Sequence, residues 1–305
     1  MNSITSYKQK AVQAIGSGQL REAEHWLQKA REIATGDSRI WQLSVQVNGQ
    51  LGDVQTAATC CEHLVKLNPD DGTAWGFLGT ARLATGRQNE AIKAFDQALK
   101  LSPHTPMILI NRGCALLQVN RFEESVDSLN RAIALDPSNS NAWFNLARAC
   151  KSLGRITGAI QALKRAIQLN PALTEAHTHL GNLLYENGSL MDCRRAWLNA
   201  LNTDPNQIQY LLGLAKLYTV VGEYDNALEQ YKKIRQIRPD NVPALCGQAD
   251  VLEKKGNFDQ AYGAIKTLLA ADIKDVTLAD VFGRLCHRFE ACDQTIQYLT
   301  ELINR

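Results

Sequence analysis

The stretch GTAWGFLGTARLATGRQNEAIKAFDQALKLSPHT, residues 72–105, is one complete copy of a pattern that runs from end to end of the chain. Trp75, Leu78 and Gly79 are spaced i, i+3, i+4, which places them on one face of a helix, and Ala91, Phe95 and Ala98 do the same for a second helix. Gly86 stands where the first helix must end, because a turn there asks for a residue content with positive φ. Pro103 stops the second helix and turns the chain onward. Outward from this copy, Gly18, Gly52, Gly86, Gly154, Gly188, Gly222 and Gly256 keep a 34-residue grid, broken before the last repeat only by Asn120, the next-best residue for such a turn. Pro69, Pro103, Pro137, Pro171, Pro205 and Pro239 keep a second grid of the same period. With repeats starting at residues 4, 38, 72, 106, 140, 174, 208, 242 and 276, the frame reaches Arg305 without insertion or deletion. A repeat of this length is too small to bury its own apolar face and must lean on its neighbours.

The residues at repeat positions 4, 7, 8, 15, 20, 24, 27 and 32 in the 72–105 copy are Trp75, Leu78, Gly79, Gly86, Ala91, Phe95, Ala98 and Pro103, and there the chain resembles the tetratricopeptide repeat. Trp41 with Ala57 and Pro69, Trp143 with Leu146, Ala159, Ala166 and Pro171, and Leu214 with Tyr218, Ala227, Tyr231 and Pro239 carry the pattern along the chain. The resemblance implies an all-α, right-handed superhelical solenoid of about nine tandem 34-residue helix-turn-helix repeats, a single array over residues 1–305. Small residues at positions 8 and 20, such as Gly79 with Ala91, Gly113 with Ser125 and Gly181 with Cys193, are expected to let paired helices approach closely. Trp75 and Trp143 are expected to pack between the helices of their repeats. The first repeat departs from the pattern at Lys10 and Thr35, as a polar cap would. The ninth is truncated, has Glu290 in place of glycine, and leaves Ile296, Leu299, Leu302 and Ile303 for a further helix to cover.

Charged residues make up 21% and apolar ones 45%, the balance of a globular chain, and a net charge of +2 gives no reason to expect nucleic acid as a partner. No apolar run has the length of a signal peptide or a membrane span, so a cytoplasmic protein without membrane insertion is expected. Eight cysteines, among them the adjacent Cys60 and Cys61, show neither a disulfide framework nor a zinc spacing.

Phosphate loops, nucleophile elbows and metal-spaced pairs are missing, and neither an enzyme activity nor a cofactor is expected of this chain. His177 and His179 are two residues apart and point to nearly opposite sides of a helix, so His177, in the slot that Trp fills elsewhere, reads as a packed structural histidine. Cys286 falls on a core position, and its neighbour His287 cannot face it.

In the tetratricopeptide family the first helices line a concave groove, with positions 2, 5, 6, 9, 12 and 13 facing into it. Carried over, the resemblance assigns to that groove Phe77, Thr80 and Leu83, then Ile110, Asn111, Cys114 and Leu117. The next two repeats add Phe144, Asn145, Arg148 and Lys151, and His179, Asn182, Tyr185 and Glu186. Amides beside aromatic rings suit an extended peptide, since amides pair with its backbone and rings receive its side chains. Passive, solvated lining is the competing reading of the same residues.

Asn111 and Asn145 also resemble the start of the asparagine ladder of O-linked N-acetylglucosamine transferase, which lapses here at His179 and Gly213. The co-chaperone clamp for a C-terminal carboxylate is matched only at Asn111, with Gly76 and Thr80 before it and Asn141 and Asn145 after it. Three functional readings stand. The first is a scaffold binding a protein or peptide segment in its groove. The second is the substrate-recruiting part of a larger sulfotransferase or glycosyltransferase, resting on the missing cap and the run Phe282 to Cys286. The third is self-association through the uncapped ninth repeat.

Overall fold

The computed structural model describes residues 2–261, 263 and 264. The ninth repeat, with Ile296, Leu299, Leu302, Cys286, His287 and the run from Phe282, lies outside the described residues.

The chain falls into two compact units, Met1–Leu169 and Asn170–Arg305. In the N-terminal unit, each repeat is an antiparallel helix pair: α1 (Asn2–Gly16) with α2 (Leu20–Ile33), α3 (Ser38–Leu51) with α4 (Val54–Leu67), and α5 (Gly72–Ala84) with α6 (Gln88–Leu101). Two more follow, α7 (Pro106–Gln118) with α8 (Phe122–Leu135) and α9 (Ser140–Ser152) with α10 (Ile156–Leu169). The C-terminal unit holds α11 (Thr174–Glu186) with α12 (Leu190–Thr203), α13 (Ile208–Val220) with α14 (Tyr224–Ile237), and α15 (Val242–Lys254). The described residues contain no strand. The architecture is the expected all-α array of helix-turn-helix repeats.

The turn within each pair closes as the glycine grid requires. Gly86 has φ of 74°, and the Arg87 N–H beyond it donates to the Arg82 carbonyl at 2.8 Å, which satisfies an otherwise orphaned helix-end carbonyl. Asn120 is the only non-glycine at positive φ among the described residues, 60°, and the Arg121 N–H makes the same closure to Leu116 at 2.9 Å. Four first helices, α3, α5, α9 and α15, begin on side-chain caps: Asp71 Oδ1, for one, accepts from the Thr73 N–H at 2.8 Å, and Asn241 Oδ1 from the Ala244 N–H at 3.0 Å.

Each core contact within a pair is a trade of volume. A Cβ on Gly79 would lie 2.5 Å from the Phe95 ring, and one on Gly113 would lie 2.7 Å from Leu129. Trp197, fully buried on α12, occupies the space left by two glycines, with Gly181 on α11 and Gly213 on α13. Where position 24 is small, as at Cys61, its partner at position 8 is Val45. Position 20 also supplies polar contacts. Ser125 Oγ donates to the Gly113 carbonyl at 2.8 Å, and the Cys193 thiol to the Gly181 carbonyl at 3.4 Å.

The tryptophan expectation needs correction. Trp75 and Trp143 are half-buried and not enclosed within their own pairs. Trp75 packs against a cluster that joins Ala58, Cys61 and Val65 of the preceding α4 to Leu78, Ala81 and Ala94 of its own pair. Its indole N–H donates to the Pro69 carbonyl at 2.8 Å, as those of Trp143 and Trp41 do to Pro137 and Thr35 at 3.0 and 2.9 Å. The ring is a strap that holds the turn between repeats. His177 fills the same role: it is buried, and its Nε2 lies 2.9 Å from the Pro171 carbonyl, which can only accept, so the ring carries a proton on Nε2.

Candidate functional site

In the N-terminal unit the first helices α5, α7 and α9 lie side by side, α7 in contact with α5 and with α9. They bring Phe77, Asn111, Phe144, Asn145 and Arg148 onto neighbouring elements. Phe77 is 44% exposed, a large apolar ring held in solvent. Thr80 Oγ1 donates to the Gly76 carbonyl one turn back at 3.0 Å, and this orients its lone pairs toward α7. Asn111 Nδ2 donates across to that oxygen at 3.2 Å, so the amide is oriented before any ligand arrives. The Asn111 Oδ1 has no partner among the described residues and remains an acceptor for a peptide N–H.

Asn145 sits differently from Asn111, although both occupy position 6. It is 8% exposed; its Nδ2 donates to the Asn141 carbonyl at 2.9 Å and its Oδ1 accepts from Arg148 Nη1 at 3.1 Å. Its principal effect is to hold the exposed Arg148 guanidinium in place. Ile110 and Leu117, expected to line the groove, are 5% and 8% exposed and belong to the core. Cys114 is half-buried, and burial raises its thiol pKa, with the Arg148 charge opposing. Burial likewise pushes Cys60 up to about 11 and Cys61 up to about 12, so both thiols stay protonated and inert. Leu83 is half-buried, and Phe144 is half-buried on α9.

Met107, in the first turn of α7 and 60% exposed, belongs with these residues although the sequence pattern alone did not single it out. The signal was available, because Met107 stands at position 2, one of the positions assigned to the groove.

His179, Asn182 and Tyr185 lie on α11 in the C-terminal unit. His179 and Asn182 are exposed and Tyr185 is 38% exposed, while His177 faces the core of the same helix. Among the described residues no three His, Cys, Asp or Glu side chains gather as a metal-ligand set, and no helix is long and apolar enough to cross a membrane.

A stack of helix pairs with glycine turns and aromatic straps, presenting ordered amides and exposed rings on its first helices, defines a helical-repeat scaffold. The particular family follows from comparison with known proteins. The tetratricopeptide repeat family matches residues 46–106, 108–139 and 221–279, and the tetratricopeptide domain of cytochrome c-type biogenesis protein H matches 126–245. The chain is a tetratricopeptide repeat protein. It is 30% identical to mouse tetratricopeptide repeat protein 33 over 99 residues, 32% of this chain and 38% of that protein. The chain thus spans little more than a third of the length of the curated relative it matches. Among solved structures it is similar to YrrB, described as a tetratricopeptide repeat protein with an unusual peptide-binding site. The TM-score is 0.52 at 22% identity, over 62% of this chain and 97% of that one. It is also similar to PilF of Pseudomonas aeruginosa, with TM-score 0.57 and 19% identity over 69% and 97% of the two chains. At such identities the likeness speaks for the fold.

Proposed function

We propose that the chain is a protein-interaction scaffold that receives an extended peptide segment on the first helices of its N-terminal unit. The observation that carries this reading is the Asn111–Thr80 hydrogen bond between α7 and α5, set beside the exposed Phe77 and Met107. An amide oriented in advance, with a free acceptor and apolar anchors next to it, is what a peptide backbone and its side chains need. The peptide-binding site that YrrB is described as having supports the reading from a protein of the same fold. Tyr185 and Asn182 on α11 are proposed separately, as peptide contacts of the C-terminal unit by itself; a cytoplasmic setting belongs to the same reading, and nine repeats over residues 1–305 are proposed on the sequence frame alone.

The test uses dodecapeptides selected from a displayed random library on the full chain. Phe77→Ala, or for the C-terminal unit Tyr185→Ala, is expected to weaken binding by about 2 kcal/mol. Asn111→Ala should cost about 0.5–1.5 kcal/mol, with melting temperature unchanged. Lys164, exposed on α10, supplies the control Lys164→Ala. Equal loss in the control, or none in the face variants, places the partner elsewhere and overturns the proposal.

A further inference from the structure

The helices of the N-terminal unit divide their charge unevenly. Its first helices α1, α3, α5, α7 and α9 contain no Asp or Glu at all. Every helical carboxylate in the unit stands on a second helix, among them Glu24, Glu62, Glu90, Asp96, Glu123 and Glu124. The first helices are basic instead. Some of their cations are answered from outside: Lys8 pairs with Asp37 at 2.7 Å, Arg82 with Glu62 at 3.4 Å, and Arg112 with Asp96 at 2.7 Å. Arg39 on α3 and Arg148 on α9 are exposed and form no ion pair among the described residues. They stand at positions 2 and 9, the same set as Phe77 and Asn111. The first helices of the C-terminal unit do carry carboxylates, Glu175, Glu186, Asp250 and Glu253, so the deficit belongs to one unit and not to first helices in general.

The unit therefore keeps its first helices free of carboxylates, so that the formal charge they present is positive, whereas its second helices mix carboxylates with cations such as Lys93, Lys100, Arg131 and Lys164. Such a face raises the local concentration of anionic segments and disfavours cationic ones. We propose that the peptide received there is acidic: an extended stretch of Asp and Glu flanking a bulky apolar side chain, which Phe77 and Met107 receive while Arg148, steadied by Asn145, and Arg39 face its carboxylates. This rests on the peptide-binding reading above and specifies its ligand.

The experiment uses three synthetic dodecapeptides, acetylated and amidated, with Leu and Phe at fixed central positions and Glu, Gln or Lys at all others. Binding to the full chain is measured by fluorescence anisotropy at low and high NaCl. The Glu peptide is expected to bind most tightly, and to lose affinity as salt shortens the screening length. Arg148→Glu and, separately, Arg39→Glu should each weaken the Glu peptide several-fold without weakening the Lys peptide, whereas Lys164→Glu leaves all three unchanged. A Gln or Lys peptide that matches the Glu peptide overturns the acidic ligand; if Phe77→Ala still weakens that peptide, the peptide-binding reading survives. Failure of all three to bind, or indifference of the Glu peptide to both arginine reversals, also overturns the inference. Indifference of every bound peptide to Phe77→Ala brings down the underlying reading with it.

Discussion

Trp197 is accommodated because two chains of backbone approach it without side chains. The Cβ that Gly181→Ala adds would lie 2.2 Å from the indole, and that of Gly213→Ala 2.5 Å. Neither distance can be relieved by a small shift of a surface group, since the ring is 2% exposed and also packs against Tyr210 at 6.0 Å between centroids. Each substitution is expected to destabilise by about 1–3 kcal/mol in urea denaturation. Combining Gly213→Ala with Trp197→Leu should recover part of that loss relative to the sum of the two single changes. Strict additivity would show that the glycine serves some other purpose. Gly213 also shows what a one-dimensional reading misses. In the sequence it is a gap in a row of asparagines, and in the structure it is the floor beneath a ring that comes from the preceding repeat.

At the scale of the element, the aromatic straps and the caps decide how one pair hands over to the next. Trp75→Phe keeps most of the packing and removes the N–H that reaches Pro69, so it is expected to cost about 1 kcal/mol. Faster hydrogen exchange in the first turn of α5 would accompany it; unchanged stability and exchange would mean that the strap is a bystander. A second device acts at the start of α3, where Asp37 accepts from the Arg39 N–H at 3.0 Å and pairs with Lys8 from α1. The hydrogen bond from Lys8 holds the Asp37 carboxyl below the ordinary carboxylate range. A group with a depressed folded pKa stabilises above its unfolded value, and that contribution is lost as pH falls through the folded one. Exchange protection at the amides of residues 39 and 40 is therefore expected to be intact at neutral pH and to weaken in acid below the ordinary carboxylate range. In Asp37→Ala the acid step should be absent; the same step in that variant would assign it to another group.

Across the whole molecule, stability in a repeat array is carried by nearest neighbours and fails locally. Trp197→Ala, expected to cost about 3–5 kcal/mol, should therefore strip exchange protection from α11 to α14 while α5 to α8 keep theirs. Simultaneous loss in both compact units would overturn this. The period, the turn positions and the two apolar faces of each repeat were legible in the sequence because each depends on residues within one hairpin. A positive-φ turn selects Gly or Asn locally, and a helix face is set by spacing along one segment. His177 as a structural histidine was readable for the same reason, since it fills a slot defined by the frame. What only the tertiary structure decided lies between segments. Ile110 is in the core while Phe77 is in solvent, and Asn145 is buried while Asn111 reaches Thr80. The Trp75 ring packs where its own pair meets the preceding repeat. The lack of carboxylates on the first helices of the N-terminal unit likewise emerges only when alternate helices are sorted, for a net charge of +2 averages it away. These properties depend on which side chains of neighbouring helices meet, and contacts of that kind have no fixed spacing in the chain.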